Sequence, residues 1–380
     1  MTNLPSRHEF ISKIKHYLTP PGEGVFTVHT ASDKRINLHK KLYGANAVAE
    51  NRVREIWEES LTNTLPLSTC VILGIPSDCG GGIQRGANWG PLYLRESLIN
   101  SREELNSYDI GDIRVVPHLL HDKYLNEETI KNVRRSLYKS EKIQLPVSPL
   151  SIAYDFASNF HQQFPTKSLF MIGGDHSVSY PIVRAYLEAK KSQGKKVALI
   201  HFDAHTDLLI ERMGIDLCFG SWASHIIPFL ETPSHLVQVG IRASAKDRGH
   251  WEKTFGHVQY WAQEVFDRGP NLIADEIVTH LKNLDVEEIY ISFDIDCLDA
   301  EYAGATGTPE TGGLSPHEPM VIMQTLFENF KITGSDIVEI APMVKAPQIK
   351  QIEPETTLLV ASALSTFLIQ AMSSNQMKDK

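Results

Sequence analysis

The chain has 380 residues, of which 42% are hydrophobic and 22% charged, and its formal net charge is −9 at neutral pH. The negative charge and the lack of a long basic cluster argue against nucleic acid as a partner, because phosphate binding needs a basic face. The apolar residues come in short runs between charges, with no run near the roughly 20 residues that a membrane helix needs, so no membrane partner is predicted.

The first part of the chain differs from the rest. It contains a short helix, a break at Thr19-Pro20-Pro21-Gly22 and a charged helical stretch from about Ile36 to Leu61. We interpret residues 1–66 as a mostly helical N-terminal extension of a large domain over residues 67–375. The opening segment lacks the apolar core of a secretory signal, which predicts a cytoplasmic protein.

The four cysteines are widely scattered and form no CxxC pair. This pattern argues against a disulfide framework and against a thiolate zinc site. We therefore expect four buried, reduced thiols at Cys70, Cys79, Cys218 and Cys297.

From Thr69 onward, short apolar runs end in Gly or Asp and are followed by helical periodicity. The runs are CVILGIPSD, LFMIGGDHS, VALIHFDAHTD, HLVQVGIR, IYISFDIDCLD and IVEIAP, and they are typical of buried parallel strands. Helices are predicted between them, for example at Val178–Lys191 and Asn271–Leu284, and Arg134–Pro149 is predicted to be a long surface connection. The alternation predicts an α/β fold, a three-layer α/β/α domain with a central, mostly parallel sheet.

Three of these strand ends carry acidic and histidine residues: His176 in GGDHS, then Asp203, His205 and Asp207 in DAHTD, then Asp294 and Asp296 in SFDID. Alternate side chains of an extended chain point to one side, and ligands bind beyond the carboxyl ends of parallel strands. Four converging carboxylates would repel one another unless cations neutralised them. We therefore predict two divalent metal ions. Oxygen and imidazole ligands suit Mn2+, with Ni2+, cobalt or iron as further options.

The motifs GGDHS, DAHTD and SFDIDCLDA, followed in order by GTPETGGLS and VEIAP, resemble the signatures of the ureohydrolase (arginase/agmatinase) family over about Thr69 to Met372. The segments GIPSDCGGGIQRGANWGP, SYDIGDI and VQVGIR resemble agmatinase-like members. The resemblance implies an arginase-like parallel sheet, two manganese ions and cleavage of a guanidino C–N bond with release of urea. It also implies a homo-oligomer, a trimer or hexamer.

Carried over by motif, the resemblance implies roles for the individual residues. His176, Asp203, Asp207 and Asp294 would hold one metal, and Asp203, His205, Asp294 and Asp296 the other, so that Asp203 and Asp294 bridge. Asp207 would also be catalytic, aiming the attacking hydroxide at the guanidino carbon. Glu339 in VEIAP matches the acid that pairs with the guanidinium, since a carboxylate offers a two-point match to two N–H donors. The alternative for Glu339 is a solvated residue at a strand end.

The match breaks after DAHTD, where family members have a His-Gly pair whose histidine transfers a proton to the leaving amine. If Gly220 aligns with that glycine, Phe219 stands at the histidine position and cannot transfer protons. His225 is the candidate catalytic substitute, and a structural histidine is the alternative.

Trp222 and Trp89 either line a ligand pocket or pack in the core. The arginase pattern that grips an α-amino acid is absent after Asp207, so arginine is a poor substrate candidate.

The first hypothesis is a hydrolase of a small cationic guanidino or amidine substrate: guanidine, an agmatine-like amine or a guanidino acid. The second is a formimino-group hydrolase, such as one acting on formiminoglutamate. Zinc-dependent deacetylation on a related fold would need only one metal, and the paired ligand motifs argue against it. A non-catalytic, metal-stabilised assembly subunit is compatible with Phe219 but not favoured by the complete ligand set.

The N-terminal extension is hypothesised to cover the site of a neighbouring subunit.

Overall fold

A central sheet of nine strands organises the computed structural model, which describes residues 6–25, 31–81, 84–101, 105–344 and 354–375. The strands are β1 Leu18–Thr19, β2 Cys70–Ile75, β3 Ser107–Ile113, β4 Ser168–Gly173, β5 Val197–Phe202, β6 Leu236–Ile241, β7 Val258–Trp261, β8 Glu288–Asp294 and β9 Lys331–Val338. Their order in the sheet is β1-β3-β2-β4-β9-β8-β5-β6-β7. Only the β1–β3 pairing is antiparallel among the pairings described.

Helices cover both faces of the sheet. They are α1 Arg7–Tyr17, α2 Ser32–Tyr43, α3 Ala45–Ala49, α4 Val53–Asn63, α5 Gly90–Asn100, α6 Glu127–Tyr138, α7 Pro149–Gln163, α8 Ser179–Ser192, α9 Trp222–Ile226, α10 Arg248–Phe255, α11 Ala262–Arg268, α12 Pro270–Asn283, α13 His317–Asn329 and α14 Pro354–Ser374. One apolar cluster includes side chains of α1, α4, α7 and α8, and a second includes side chains of α5, α12, α13 and α14. The predicted three-layer α/β/α architecture is confirmed.

The six strands expected from apolar runs all form, and the predicted helices after GGDHS and before IYISFDID agree with α8 and α12 to within one residue at either end. The expected surface connection at Arg134–Pro149 is wrong in its first part. Helix α6 continues to Tyr138 because Leu137 and Tyr138 pack into the core, so the connection comprises residues 139–148. The apolar runs do not indicate the short strand β1 or the polar strands β3 and β7.

The N-terminal helices pack onto the sheet of their own chain. Phe10 and Tyr17 of α1 are buried in the same cluster as α7, and the indole of Trp57 in α4 donates to the Ile110 carbonyl of β3 at 3.0 Å. The carboxylate of Asp112 in β3 accepts the Gly22 amide at 2.7 Å. The domain boundary at residue 66 and the covering of a neighbouring subunit stay predictions.

Helix α14 is long and apolar enough to span a membrane, although the apolar runs had suggested that no such segment exists. Its most apolar window has a mean hydropathy of 1.4, and 56% of that window is buried. Ala361, Leu364 and Leu368 are fully enclosed in the second apolar cluster. Among the described residues no other helix meets the length and composition of a span.

All four cysteines are free thiols, as expected, but only Cys70, Cys218 and Cys297 are buried. Cys79 is half-buried, because it lies in the loop after β2 and lines a cavity. The expectation of four buried thiols is wrong for this residue.

Candidate metal centre

Four neighbouring strands, β4, β9, β8 and β5, deliver the candidate site residues to one edge of the sheet. His176 follows β4, and Glu339 follows β9. Asp294 ends β8, and the DAHTD triplet follows β5. Because these strands are parallel, their carboxyl ends lie at the same edge.

Tight turns, and not the pleat of the strands, bring the paired ligand candidates together. Asp203 Oδ1 accepts the His205 amide at 2.6 Å, and Asp294 Oδ1 accepts the Asp296 amide at 2.9 Å. Both are turns in which an aspartate binds the backbone two residues on. The extended geometry assumed from the sequence is wrong, since β5 ends at Phe202 and β8 at Asp294.

Close packing of two loops explains one glycine of GGDHS. A Cβ atom on Gly174 would stand 1.8 Å from the Ser77 carbonyl oxygen in the loop after β2. Only glycine allows this approach. Asp175 then accepts the amides of Ser177 and Gly80, which fixes the turn that carries His176.

His176 is the centre of the first group of donors. Its buried Nδ1 lies 3.2 Å from Asp203 Oδ2, 3.2 Å from Asp207 Oδ2 and 3.1 Å from Asp294 Oδ2. This nitrogen is buried without a hydrogen-bond partner. An orphaned imidazole nitrogen facing three carboxylate oxygens is a donor set that fits a divalent cation.

A second group of donors shares Asp203 with the first. His205 Nδ1 lies 3.4 Å from Asp203 Oδ1 and 3.2 Å from Asp296 Oδ2. Asp203 therefore directs Oδ2 toward the first group and Oδ1 toward the second. This sharing is the geometry expected of a carboxylate between two cations.

These buried carboxylates would repel one another if all of them were ionised. Burial raises the pKa of Asp294 well above its usual value, and the charges of Asp296 and Asp203 raise it further. Burial and the charge of Asp203 also raise the pKa of Asp207. Burial opposes the charge on Asp203, but the nearby imidazole of His176 and the hydrogen bond from His201 lower its pKa well below the usual range. Divalent cations would relieve this repulsion.

Glu339 lies beside the first group and is held in a strained backbone conformation. Its Oε1 accepts the His176 amide at 2.8 Å, and its φ is 62°. Burial and the charges of Asp294 and Asp175 raise its pKa well above the usual value. Asp207 also has a positive φ of 51°. Strain of this kind in non-glycine residues clusters at functional sites.

Trp222, considered from sequence as either a pocket or a core residue, is fully buried against the site. Its Nε1 donates to Asp207 Oδ2 at 2.8 Å, and its ring centroid lies 4.7 Å from that of His176. Trp89 is half-buried at the start of α5.

The structure does not bring His225 to these groups by any contact it describes. Its Nε2 lies 2.8 Å from the Ile210 carbonyl, and its ring is 6.4 Å from that of Tyr180. A carbonyl only accepts, so this nitrogen carries its proton into that bond. A catalytic role for His225 stays a prediction that the geometry does not support.

Three further residues support the ligand candidates, and sequence reasoning had singled out only Thr308 among them, as part of a loop beside the site. Thr308 Oγ1 donates to Asp296 Oδ2 at 2.8 Å, and Glu310 Oε1 lies 3.6 Å from His205 Nε2. The nearby imidazole of His205 lowers the pKa of Glu310. His201 Nε2 lies 2.8 Å from Asp203 Oδ2. A histidine inside the apolar run VALIHF was the available signal for His201.

A cavity of about 660 Å³ lies among the loops that follow β2, β3 and β5. Its lining includes Arg85, Arg212 and Phe219, and no Asp or Glu occurs among its described lining residues. Gly80, another lining residue, donates its amide to Asp175 beside His176. The cavity therefore borders the turn that carries His176.

Comparison with known proteins agrees with this fold. A sequence model of the arginase family matches residues 68–369. An agmatinase of Escherichia coli O7:K1 is 29% identical over 303 residues, covering 76% of this chain and 85% of the relative.

Two solved structures share the fold. The proclavaminate amidino hydrolase of Streptomyces clavuligerus has a TM-score of 0.62 at 24% identity, over 81% of this chain and 93% of that chain. The formimidoylglutamase of Bacillus subtilis has a TM-score of 0.64 at 20% identity, over 80% and 87%. Because the family match spans well over half of the sequence, this chain belongs to the arginase family of hydrolases, which act on C–N bonds in linear amidines.

Proposed function

We propose that this protein is a binuclear-metal hydrolase that cleaves a guanidino C–N bond of a small substrate and releases urea. The observation that carries the proposal is the arrangement around Asp203, whose two oxygens face the His176 group and the His205 group separately. His176, Asp203, Asp207 and Asp294 would hold one ion. Asp203, His205 and Asp296, with Asp294 as a second bridge, would hold the other. Mn2+ is the proposed metal, with Ni2+ as the alternative.

Two bound divalent ions would lower the pKa of water enough to supply a nucleophile near neutral pH. Asp207, held by the indole N–H of Trp222, would accept a hydrogen bond from the attacking water and orient it toward the substrate carbon. Such positioning of reacting groups is a major source of catalysis.

Glu339 would bind the guanidinium. The His176 amide fixes Oε1, while Oε2 lies 3.6 Å from the position that a Cβ atom on Gly307 would occupy. A guanidinium beside this carboxylate would stabilise its ionised form, which burial alone disfavours. A Cβ atom at residue 307 would stand 2.9 Å from the Gln84 carbonyl oxygen, and glycine avoids this close approach.

The cavity beside His176 bears on the rest of the substrate. Arg212 lines it, and so does Arg85, which pairs with Asp78. No Asp or Glu occurs among the described lining residues, and this arrangement disfavours a substrate with a second cation in its tail, such as agmatine. We propose that guanidine or a guanidino acid is preferred over agmatine, although the curated relatives include agmatinases.

A formimino substrate is the second candidate, and the observation that favours it is Phe219. If Gly220 aligns with the family glycine, Phe219 replaces the histidine to which the family assigns proton transfer. Phe219 lines the cavity, and the guanidinium of Arg212 lies 5.6 Å from the centre of its ring. Formamide as the product instead of urea would identify this reaction.

The test is urea release by the purified protein, loaded separately with Mn2+ or Ni2+, over guanidine, agmatine, arginine and guanidino acids. Asp296→Ala should abolish the activity because it removes a ligand. Asp267→Ala, which removes an exposed carboxylate, is the matched control. Urea lost only in Asp296→Ala would support the proposal. Absence of urea from every substrate with two ions bound would contradict it.

We also propose a cytoplasmic homo-oligomer of three or six subunits. Deletion of residues 1–60 tests whether the N-terminal extension covers a neighbouring site. Unchanged oligomer size and substrate preference would contradict that role.

A further inference from the structure

Three polar side chains form a row across the buried strands β5, β6 and β7. His201 of β5 is the register partner of Gln238 of β6, and Gln238 is the partner of Gln259 of β7. All three are fully enclosed. Burying polar groups inside a parallel sheet is unfavourable unless each is hydrogen-bonded, so the row needs a complete set of partners.

The outer end of the row sets the orientation of both amides. Trp261 Nε1 can only donate, and it lies 2.9 Å from Gln259 Oε1. The amide nitrogen of Gln259 therefore faces Gln238 Oε1, at 2.8 Å. His257 Nε2 lies 3.0 Å from the same oxygen, which accordingly accepts twice.

The inner end gives the same orientation independently. Gln238 Nε2 lies 2.7 Å from the Thr206 carbonyl oxygen, which can only accept. The same nitrogen lies 2.9 Å from His201 Nδ1, so Nδ1 must accept as well. The proton of a neutral His201 is then on Nε2, which lies 2.8 Å from Asp203 Oδ2.

We propose that this directed chain of hydrogen bonds, running from Trp261 through Gln259 and Gln238 to His201, positions Asp203 for metal binding and excludes His201 from the ligand set. The inference rests on the proposed function, in which Asp203 is shared by two ions. His201 does fall within the candidate donor group of His176, Asp203 and Asp207. Both of its ring nitrogens are occupied, however, one accepting from Gln238 and the other donating to Asp203.

The chain of hydrogen bonds directs the two oxygens of Asp203 toward different groups of donors. The N–H of His201 fixes Oδ2 beside His176, and the carboxylate plane then directs Oδ1 toward His205. Hydrogen-bond partners of ligands typically account for about 10- to 100-fold in metal affinity. His201 is therefore a positioning residue.

Substitutions of His201 separate positioning from ligation. His201→Leu removes the donor, and we expect Mn2+ to bind 10- to 100-fold more weakly, measured by titration of the metal-free protein. His201→Gln places an amide nitrogen near the position of Nε2, and we expect it to restore affinity to within about fivefold of wild type. His161→Leu, which changes another buried histidine, is the matched control and should leave affinity unchanged.

Gln238→Met provides a second test because it nearly keeps the size of the side chain and removes the N–H donor that makes His201 Nδ1 accept. We expect a loss of Mn2+ affinity similar to that of His201→Leu, with a far-ultraviolet circular dichroism spectrum like that of wild type. The proposal that this hydrogen-bond chain positions Asp203 would be refuted if both variants bound two ions as tightly as wild type.

Two further outcomes distinguish this inference from the proposed function. Equal losses in folded His201→Gln and His201→Leu would make His201 a ligand and overturn the positioning role alone. Wild-type protein that binds fewer than two Mn2+ ions would overturn the proposed function and the inference with it.

Discussion

The hydrogen bond from Trp222 to Asp207 can be removed with little change in shape. Trp222→Phe deletes the N–H that lies 2.8 Å from Asp207 Oδ2 and retains an aromatic ring beside His176. The same carboxylate oxygen lies 3.2 Å from His176 Nδ1, so its position matters to the proposed first metal site. We expect the variant to fold and to lose activity.

The size of the loss follows from the environment of Asp207. A hydrogen bond to a buried charged group contributes about 1.5–3 kcal/mol. The left-handed backbone of Asp207, at a φ of 51°, must be held by contacts of this kind, since such strain costs about 1–3 kcal/mol. If the whole free energy of this hydrogen bond is lost from the transition state, kcat/KM falls by about 10- to 100-fold.

Steady-state urea release at saturating Mn2+ measures this effect, with bound metal counted in parallel. Trp251→Phe is the matched control, because Trp251 Nε1 donates to Ser244 Oγ at 2.8 Å and contacts no candidate ligand in doing so. The control should remain within twofold of wild type. If Trp222→Phe also remained within twofold while binding two ions, the positioning of Asp207 by Trp222 would be refuted.

Three further predictions concern single side chains. Glu339→Gln should lower kcat/KM by at least 100-fold for guanidino substrates, because a neutral amide cannot form an ion pair with the guanidinium. Urea release at full metal occupancy measures this effect, and a loss below tenfold would contradict the prediction. His225→Gln should change kcat less than threefold, since its Nε2 proton is bound to the Ile210 carbonyl, whereas a proton-transfer role predicts a loss of 100-fold or more in the same assay. Burial lowers the pKa of His161 to about 3, so the unfolded chain binds one more proton than the folded chain between pH 6.5 and 3, and stability falls as the pH falls through that window. Urea denaturation at several pH values should show that the free energy of unfolding depends less steeply on pH in His161→Leu, by roughly 1.4 kcal/mol per pH unit. An unchanged slope would contradict the lowered pKa of His161.

The strands that carry the site were predictable because burial on both faces makes each a continuous apolar run. VALIHF and LFMIG show this pattern, and both form strands with every residue buried. Strand β7 was not predictable in this way because it includes Gln259, whose burial depends on Gln238 in another strand. A sequence pattern does not show which polar residues find partners across a sheet.

The sequence alone determined the family, the parallel core and the set of acidic and histidine side chains at the strand ends. It could do so because strand periodicity and metal-ligand chemistry are local properties of short motifs. The tertiary structure alone decided how those side chains are oriented. Trp222 meets Asp207 and His201 meets Asp203 because loops and neighbouring strands bring them into contact. His225, suggested as a catalytic substitute only because it lies a few residues after Phe219, instead bonds the Ile210 carbonyl, because the fold of residues 208–226 directs its ring there.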